Sequence, residues 1–353
     1  MTEGASLRAE RPASDELRRA DDEHPVLFVT NHVPPDRAGA FAALHERVPL
    51  LLALFGGRSH HATAGLDDPG VPHVRVTQRA VHGLAASGRF AAVVCGTAGR
   101  VALPAAYLGA RRSRTPFVLW SALWGDLATP AHRAARPLLR HVHRHAAVVV
   151  GYGPHVTQYA QRSGARAVAI APQAVDNAFW SQPIDAGEHP FTALFAGRDV
   201  PEKGLAILRE AWRRAALDGA RLEVLSDATP EEVRNSYAQA DVVVIPSIAT
   251  RHFLEPWGLV VNEAMNQRVP IIATDAVGAA AGGLVRDGRN GLVVPAGDAG
   301  ALAAALRTLH GDRELRSRLG ENGARDVAAY THVAWADAFA RALSGATSGS
   351  VNC

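Results

Sequence analysis

The stretch FTALFAGRDVPEKGL, residues 191–205, joins a short apolar strand to the start of a helix through a turn with glycine and proline. A continuous apolar run of this kind is typical of a strand buried on both faces of a parallel sheet. Similar runs recur at residues 25–32, 48–55, 71–76, 90–96, 116–122, 146–152, 166–172, 221–226, 241–247, 269–276 and 291–297. Segments of helical length separate them, so the sequence predicts an α/β protein with parallel sheets between helices.

The chain is long enough for two domains. Its 353 residues exceed one ordinary domain, and NAFWSQPIDAGEHP, residues 177–190, interrupts the alternation and is the predicted linker. We predict Rossmann-like α/β/α domains at residues 24–178 and 190–330, with parallel sheets facing a central cleft. Residues 1–23 are predicted to be a disordered tail, and residues 331–345 a C-terminal helix that returns to the first domain. This shape is typical of two-domain enzymes and of hinged binding proteins.

Composition excludes several classes of protein. Hydrophobic residues make up 48% and charged residues 20%, which excludes wholesale disorder. No run reaches the roughly 18 apolar residues of a membrane span, and the residues before Pro25 do not form a secretory signal. Cys95 and Cys353 provide neither a disulfide framework nor a zinc set, which favours a reduced, cytoplasmic location. The net charge of +3 gives no reason to expect a nucleic-acid partner.

Two cations, Arg198 and Lys203, follow the strand at residues 191–197, and Lys203 is the only lysine in the chain. A glycine at a strand end, two cations and a helix start together suit a phosphate-like anion. The arginine offers a planar fork, the lysine a compact charge and the helix start free amides. Taken alone, however, an exposed loop with ordinary surface cations explains this pattern better.

Two carboxylates, Glu255 and Glu263, stand eight residues apart after the strand at residues 241–247. Carboxylates accept paired sugar hydroxyls, and Gly258 and Leu259 place further free amides at a helix start. One loop and helix can therefore hold both hydroxyls and phosphate. The helix around Glu263 is largely apolar, so this charge needs a partner; the alternative is a solvated surface glutamate.

Taken together, these segments resemble a known family. GRDVPEKG, PSIATRHFLEPWGLVVNEAM and IIATDAVGAAAGGLVRDGRNGLVVPAGD are similar to the retaining glycosyltransferases of family 4, which have the GT-B fold and belong to the glycosyl transferases group 1. The resemblance covers residues 191–345. Its specific features are the spacing of the two glutamates, the glycine after the aromatic residue and the DGRNGLVVPAGD segment.

The resemblance implies a role for each matching residue. The donor-binding set would be Arg198, Lys203, Glu255, Gly258, Leu259 and Glu263. Within it, the two cations would hold the diphosphate of a nucleotide sugar and, with the first glutamate at the donor sugar, would carry catalysis. The second glutamate would bind the ribose hydroxyls, and the two amides the sugar or diphosphate. The acceptor would lie near the loop PPDRAGAF of the first domain, which contains Asp36, Arg37 and Gly39.

The implied activity is transfer of a hexose or N-acetylhexosamine from a nucleotide sugar, expected to be a UDP-sugar, to an alcohol acceptor. Candidate acceptors are a glycan, a lipid-linked intermediate and a natural product. In this family the acceptor is thought to attack on the face from which the diphosphate departs, with the diphosphate assisting deprotonation. The sequence contains no obvious protein nucleophile, which agrees with that scheme. No Asp-x-Asp follows a strand, so neither a metal nor a cofactor is expected.

Three positions depart from the family pattern. The usual histidine after the strand at residues 116–122 is absent; His132 is the nearest candidate to contact donor sugar or phosphate, and a surface histidine is the alternative. Only residues 227–240 separate two strands between which the family has a further strand and turn for the base. Arg268 stands where a glycine is usual, which predicts that the left-handed cap of the preceding helix is lost.

Residues 100–145 contain eight arginines and one acid, Asp126. Two interpretations remain open: a basic face that meets anionic lipid or a polyprenyl phosphate at the inner face of the membrane, or a solvated helix face. Trp120 and Trp124 fit either an acceptor pocket or the core. For the segment GYGPH, residues 151–155, a plain turn is favoured over a role in the cleft.

Two further functions remain compatible with the sequence. A GT-B nucleotide-sugar epimerase would consume donor without an acceptor, and a non-catalytic protein would only bind the nucleotide sugar in the same cleft. Retention of both glutamates, both cations and the glycine turn argues against the non-catalytic alternative, whereas the shortened base region and the missing histidine favour it. A dinucleotide oxidoreductase is disfavoured, because no G-x-G-x-x-G follows the first strand. The sugar, the acceptor and the oligomeric state remain open.

Overall fold

A computed structural model describes residues 24–56 and 67–348; the tail predicted at residues 1–23 lies outside the described residues. The strands form two sheets, ordered β3-β2-β1-β4-β5-β6-β7 and β12-β11-β10-β8-β9. In chain order they are β1 (Val26–Thr30), β2 (Leu50–Leu54), β3 (His73–Arg75), β4 (Ala92–Gly96), β5 (Phe117–Ser121), β6 (Val148–Gly151), β7 (Val168–Ile170), β8 (Phe191–Ala196), β9 (Ala220–Leu225), β10 (Val242–Ile245), β11 (Ile271–Thr274) and β12 (Gly291–Val294). All neighbouring pairs are parallel. The α/β architecture with two parallel sheets is confirmed.

Helices cover both faces of each sheet. In chain order they are α1 (Pro35–His45), α2 (Ala80–Ala85), α3 (Ala102–Ser113), α4 (Pro130–His145), α5 (Pro154–Arg162), α6 (Asn177–Trp180), α7 (Leu205–Ala215), α8 (Pro230–Ala238), α9 (Val260–Asn266), α10 (Gly278–Ala281), α11 (Ala299–Gly311), α12 (Arg313–Val327) and α13 (His332–Ser348). The stretch predicted as a linker begins with α6, because the Asp176 side chain accepts hydrogen bonds from the amides of Ala178 and Phe179 and caps this turn.

The last helix, α13, packs on the first sheet. Trp335 and Phe339 of α13 lie in one apolar core with Phe28 of β1 and Phe41 of α1. The ring centroids of Phe41 and Trp335 are 5.5 Å apart, and those of Phe28 and Phe339 are 5.7 Å apart. The opposite face of the same sheet packs against α2, α3, α4 and α5. The chain therefore crosses back to the first sheet after the second sheet is complete.

Arg268 follows α9 in the left-handed conformation, with φ of 59°. The prediction that the left-handed cap is lost is therefore wrong. Packing sets the backbone position of Arg268. The helix α12 comes so close that a Cβ on its Gly320 would lie 1.9 Å from the Arg268 carbonyl oxygen. The helix α12 presses directly on this turn, so the arginine adopts a backbone geometry that glycine would adopt with less strain.

The turn between β8 and α7 brings the backbone of Gly204 against β10. Residues Pro201–Lys203 form one turn of 3₁₀ helix, and Gly204 follows with φ of 72°. A Cβ at Gly204 would lie 1.9 Å from the carbonyl oxygen of Pro246. Glycine is therefore required here both by the backbone angle and by the close approach, and together these fix Lys203 at the carboxyl edge of the second sheet.

The variant Gly204→Ala is expected to lower the free energy of unfolding by about 2 kcal/mol, since the new methyl group must push two backbone segments apart. Denaturant unfolding measures this change. Gly345→Ala is the matched control: it lies inside α13 with nothing within 4 Å of its Cβ position, so it should be neutral or stabilising. Equal stability of Gly204→Ala and the wild type would contradict the close approach.

Candidate active site

The second sheet carries an ion pair at the carboxyl ends of its central strands. Lys203 follows β8 and Glu255 follows β10, and the Lys203 ammonium pairs with Glu255 Oε2. Ser247 Oγ donates a hydrogen bond of 3.1 Å to the same oxygen. Glu255 is only 5% exposed, and a carboxylate so buried requires such partners. The sole lysine and the first glutamate of the predicted donor site thus form one unit.

Arg198 lies two residues after β8 and is partly exposed. Among the described residues, no side-chain hydrogen bond or ion pair engages its guanidinium. The two predicted cations therefore differ: Lys203 is bound to a carboxylate, whereas Arg198 is free to meet an anion. The amides of Gly258 and Leu259 precede α9, and Gly258 has φ of 89°, which suits a glycine at this sharp turn.

Glu263 lies in α9 and has a buried partner. The Tyr237 hydroxyl of α8 donates a hydrogen bond of 2.7 Å to Glu263 Oε2. Burial raises the pKa of Glu263 to about 7; the negative charge of Asp36 raises it further, and the Tyr237 hydrogen bond opposes the rise. The predicted need for a partner is thus met by Tyr237, which sequence reasoning missed. In the sequence, the only indication of this partner was that Tyr237 is an aromatic residue in the short segment between β9 and β10.

The predicted acceptor residues Asp36, Arg37 and Gly39 lie in the first turns of α1, so the prediction of a loop is wrong. Pro35 at the first helical position and the acidic Asp36 behind it start the helix. Gln173 joins this end of α1 to α9 of the second domain, because its side chain accepts a hydrogen bond from Arg37 and its carbonyl accepts one from Asn262 Nδ2. Gly39 instead permits close packing, because its Cβ would lie 2.4 Å from His332 Nδ1 of α13.

Arg37 is held in place by aromatic rings. Its guanidinium lies 5.0 Å from the ring centroid of Trp120 and 5.7 Å from that of Tyr152, and it donates a hydrogen bond to Gln173 Oε1. Trp120 is 8% exposed and belongs to the core that contains α1 and α13. Of the two interpretations left open for this tryptophan, the structure therefore supports the core.

Three hydrogen bonds from the first domain hold the loop that carries Glu255. Trp124 Nε1 donates to the Glu255 carbonyl (3.1 Å), His155 Nε2 donates to the Pro256 carbonyl (3.1 Å), and the Ala128 amide donates to the Arg251 carbonyl (2.8 Å). Burial lowers the pKa of His155, so its ring is neutral at pH 7. The prediction of a plain turn at residues 151–155 is wrong, because His155 contacts the second domain.

His132, the predicted substitute for the family histidine, is occupied elsewhere. Its amide and its Nδ1 both hydrogen-bond to Thr129 Oγ1, at 3.2 and 2.6 Å, which caps the start of α4. The structure shows no contact of His132 with the Lys203–Glu255 pair or with Glu263. His155 is the histidine that reaches the Glu255 loop, through the backbone of Pro256.

The DGRNG segment of the family pattern has a structural role. Asp326 of α12 pairs with Arg286 and Arg289, each at 2.7 Å, and accepts a hydrogen bond from Asn290 Nδ2 at 2.8 Å. The hydrogen bond from Arg289 is the main cause that lowers the pKa of Asp326 to about 2. This network holds the turn before β12 against α12.

Within residues 24–56 and 67–348, no group of three or more His, Cys, Asp or Glu side chains is arranged to hold a metal ion. No helix in the same part of the chain is long and apolar enough to cross a membrane.

Solved structures with the same architecture are known. The structure of HepE from Anabaena in complex with UDP aligns with a TM-score of 0.70 and 19% sequence identity, over 91% of this chain and 99% of that one. Sucrose-phosphate synthase from Thermosynechococcus elongatus aligns with a TM-score of 0.68 and 17% identity, over 90% and 98% of the two chains. The fold is therefore GT-B, as the resemblance implied.

Each of these sequence comparisons covers less than half of the chain. Residues 215–326 match the family model described as glycosyl transferases group 1. The lipopolysaccharide core biosynthesis glycosyltransferase LpsE of Rhizobium meliloti is 33% identical over 48% of this chain and 54% of its own length. A phosphatidyl-myo-inositol mannosyltransferase of Mycobacterium leprae is 32% identical over 39% and 42%. The chain thus spans about half the length of the curated relatives it matches.

The fold is that of a two-domain protein of the GT-B class. Residues 215–326 of its second domain match the group 1 glycosyltransferase model, and the resemblance to that group is confirmed. The matched relatives are named glycosyltransferases.

Proposed function

We propose that this protein is a retaining glycosyltransferase that moves a hexose or N-acetylhexosamine from a UDP-sugar to an alcohol acceptor without a metal ion. The observation that carries the proposal is the placement of Lys203, Glu255 and Glu263 at the carboxyl edge of the second sheet, facing α1. Ligands of open parallel sheets bind at this edge. HepE, which has this fold, was solved in complex with UDP.

Each part of a nucleotide sugar finds a matching group. The free Arg198 guanidinium and the Lys203 ammonium suit the diphosphate, because both can donate to phosphate oxygens. Glu255 lies beside Lys203 and would meet the sugar at the diphosphate. Glu263, with Tyr237 behind it, would accept the two ribose hydroxyls. The amides of Gly258 and Leu259 lie between the two glutamates and would donate to the sugar or the diphosphate.

The proposed reaction retains the configuration of the sugar carbon, and these groups would assist it. The two cations stabilise the negative charge that develops on the departing diphosphate. A diphosphate oxygen then accepts the proton of the acceptor hydroxyl, which attacks the same face of the sugar carbon. The new C–O bond forms as the bond to the diphosphate breaks. The acceptor would enter from the α1 side, near Asp36 and Arg37.

The exposed arginines of α4 support an acceptor that carries negative charge. Arg133, Arg140 and Arg144 are exposed, and Leu138 between them is 39% exposed. A lipid-linked acceptor at an anionic membrane surface fits this face. In this proposal the exposed face of α4 would approach the membrane surface.

A thermal-shift screen tests the donor. Purified protein is heated with UDP, GDP, ADP or TDP and their common sugars, in buffer without metal. We expect UDP and UDP-sugars to raise the melting temperature most, and Arg198→Gln to reduce that shift. The matched control is Arg111→Gln, which removes an exposed arginine of α3. Stabilisation by another nucleotide would reassign the base, and no shift with any nucleotide would contradict the donor site.

The binding of UDP is expected to strengthen as the pH rises from 6 to 8. The pKa of Glu263 is raised to about 7, and only the carboxylate accepts both ribose hydroxyls, so its contribution to affinity is lost below pH 7. The same shift makes the folded state hold this proton more tightly than the unfolded state. That contribution to stability is complete below the ordinary glutamate pKa of 4.5 and is lost as the pH rises through about 7.

Isothermal titration of UDP at several pH values measures this dependence, with Glu263→Gln as the reference, because glutamine does not titrate. If the UDP affinity of the wild type changes with pH no more than that of Glu263→Gln, this carboxyl group does not bind the nucleotide.

Trp124→Phe is expected to lower kcat about two- to tenfold and to leave UDP affinity unchanged. Phenylalanine keeps the ring but loses the hydrogen bond to the Glu255 carbonyl, which is worth about 0.5–1.5 kcal/mol. Steady-state kinetics and UDP titration measure the two effects. Trp212→Phe is the control, because Trp212 packs on the far core of the second sheet. An equal effect of both variants would refute a specific role of Trp124 in positioning Glu255.

A further inference from the structure

A cleft separates α4 from α5 on the face of the first sheet opposite α13. It is lined by Leu127, Arg136, Arg140, His143, Tyr159 and Ser163, among other residues. Its side chains are polar and basic on the α4 wall. None of Lys203, Glu255 and Glu263 lines this cleft, whereas His132, the predicted histidine of the donor site, and Arg140 of the basic face of α4 do.

His143 is the buried polar group of this cleft. It is 1% exposed, and neither of its ring nitrogens has a hydrogen-bond partner among the described residues. Its closest aromatic neighbour is Tyr159, with ring centroids 6.1 Å apart, but the Tyr159 hydroxyl donates to Asp126 Oδ1 at 2.7 Å. Buried polar groups of native proteins are almost always hydrogen-bonded, and an unpaired one costs free energy. The imidazole is therefore left with two unused positions for a partner that enters the cleft.

The charge of the cleft is positive. Its one acid, Asp126, lies 3.3 Å from Arg136 and also accepts the Tyr159 hydrogen bond, so it is already neutralised. Arg140 is exposed, and no ion pair or hydrogen bond holds it within the described part of the chain. Arg140, the cation without an acidic partner, therefore lies one helical turn from His143 on the same face of α4.

These groups together specify the chemistry of a ligand. Burial lowers the pKa of His143, so the free ring is neutral at pH 7, with one N–H donor and one acceptor nitrogen. The two nitrogens point away from each other, so one bound group meets one of them, with an oxygen acceptor for the N–H or a hydroxyl donor for the bare nitrogen. A partner that also meets Arg140 must be an anion. A phosphate monoester or hydrogen phosphate has all three properties.

We propose that the cleft between α4 and α5 is a binding site for a phosphate monoester group, held by His143 and Arg140. The site is separate from the donor site on the second sheet and does not depend on the proposed glycosyl transfer. Two sources supply this chemistry: a soluble phosphate monoester and the headgroup of a phosphomonoester lipid. The Tyr159–Asp126–Arg136 network links α5 to α4 across one side of the cleft.

Isothermal titration of the full chain with glycerol phosphate and with inorganic phosphate, in buffer free of other phosphate, tests the proposal. Saturable one-to-one binding is expected, weakened at least tenfold in Arg140→Gln and in His143→Phe. Because His143 is buried and its replacement can impair folding, Arg140→Gln, which changes an exposed side chain, carries the test alone if needed. Arg111→Gln on α3 is the control for the same loss of charge and should bind as the wild type does.

Arg198 at the donor site also offers a free cation, so Arg198→Gln is titrated in parallel. Binding that survives in Arg198→Gln and fails in Arg140→Gln supports the cleft. Binding lost in Arg198→Gln but kept in Arg140→Gln would place the phosphate at the donor site and overturn the proposal, as would the absence of saturable binding.

Sedimentation with vesicles distinguishes the two sources of phosphate. Vesicles of phosphatidylcholine with phosphatidic acid present a phosphomonoester headgroup, and phosphatidylcholine alone does not. Binding that depends on phosphatidic acid and on Arg140, and that glycerol phosphate displaces, assigns the cleft to a lipid headgroup. If glycerol phosphate binds in a way that depends on Arg140, and the vesicles with phosphatidic acid do not bind, the cleft is assigned to a soluble phosphate monoester. Vesicle binding that is equal in Arg140→Gln and the wild type, without Arg140-dependent titration, overturns the proposal.

Discussion

Replacing Lys203 with methionine is expected to lower kcat about 100- to 1000-fold, which is the usual cost of removing one fixed donor that stabilises charge in a transition state. The ammonium lies against Glu255 Oε2 at the carboxyl edge of the second sheet, where the diphosphate would depart. Methionine preserves much of the length and the apolar stem of the side chain. Steady-state kinetics with saturating donor measure the change.

The same substitution leaves Glu255 buried without its cation, and a carboxylate in that position is destabilising or takes up a proton. The double variant Lys203→Met/Glu255→Gln separates this effect from catalysis. Glutamine still accepts a hydrogen bond from Ser247, so the double variant is expected to recover stability but not turnover. Recovery of both would mean that Lys203 serves only to neutralise Glu255, and the proposed contact with the diphosphate would be wrong.

Glu263→Gln is expected to weaken UDP binding by about 1.5–3 kcal/mol, or roughly 10- to 150-fold, since hydrogen bonds to a charged group are worth that much. Titration calorimetry at pH 8, where the carboxyl group is ionised, measures the loss. The fold should be retained, because glutamine can still accept the hydrogen bond from Tyr237. Unchanged UDP affinity would exclude the contact between Glu263 and the ribose.

Tyr237→Phe provides the matched control for that experiment. It removes the hydrogen bond that lowers the pKa of Glu263 but keeps the carboxyl group itself. The pKa of Glu263 should therefore rise, and UDP affinity should fall at pH 7 and recover towards the wild-type value at higher pH. A loss of affinity that persists at pH 9 would indicate that Tyr237 acts on the nucleotide in another way.

The central strands of both sheets could be predicted from the sequence because they are mainly apolar runs between turn residues, whereas β3 and β9 at the sheet edges contain charged residues. The run FTALFAG became β8, and GLVVPAG became β12, with the ends shortened by a few residues. Such runs report burial on both faces, which depends on local composition alone. The order of the strands, by contrast, depends on the path of the chain between them.

The site was predictable in part. Lys203 and Glu255 could be named from their positions after two neighbouring strands, since the carboxyl ends of parallel strands meet at one edge. The contact of His155 with Pro256 could not be predicted, because it joins residues that are 101 positions apart and belong to different domains. Its sequence signal, a histidine at the start of a helix, is common to many surface histidines.

Two wrong predictions have different physical causes. The segment after β1 was taken for a loop because its two prolines resemble a turn, but a proline is favoured in the first turn of a helix and starts α1 at Pro35. Arg268 was expected to abolish a left-handed cap, yet the packing of α12 imposes that geometry on an arginine. A local backbone preference thus decided the first case, and tertiary packing decided the second.

The glycosyl transfer itself is tested most directly by proton NMR of the protein with a UDP-sugar and a panel of alcohol acceptors. The anomeric signal of the donor is followed in metal-free buffer. We expect the donor signal to decay as a new anomeric signal of the same configuration appears on the acceptor, with free UDP released. Formation of an altered sugar without an acceptor would identify an epimerase. An inverted anomer, or a donor left intact with every acceptor, would contradict a retaining transferase.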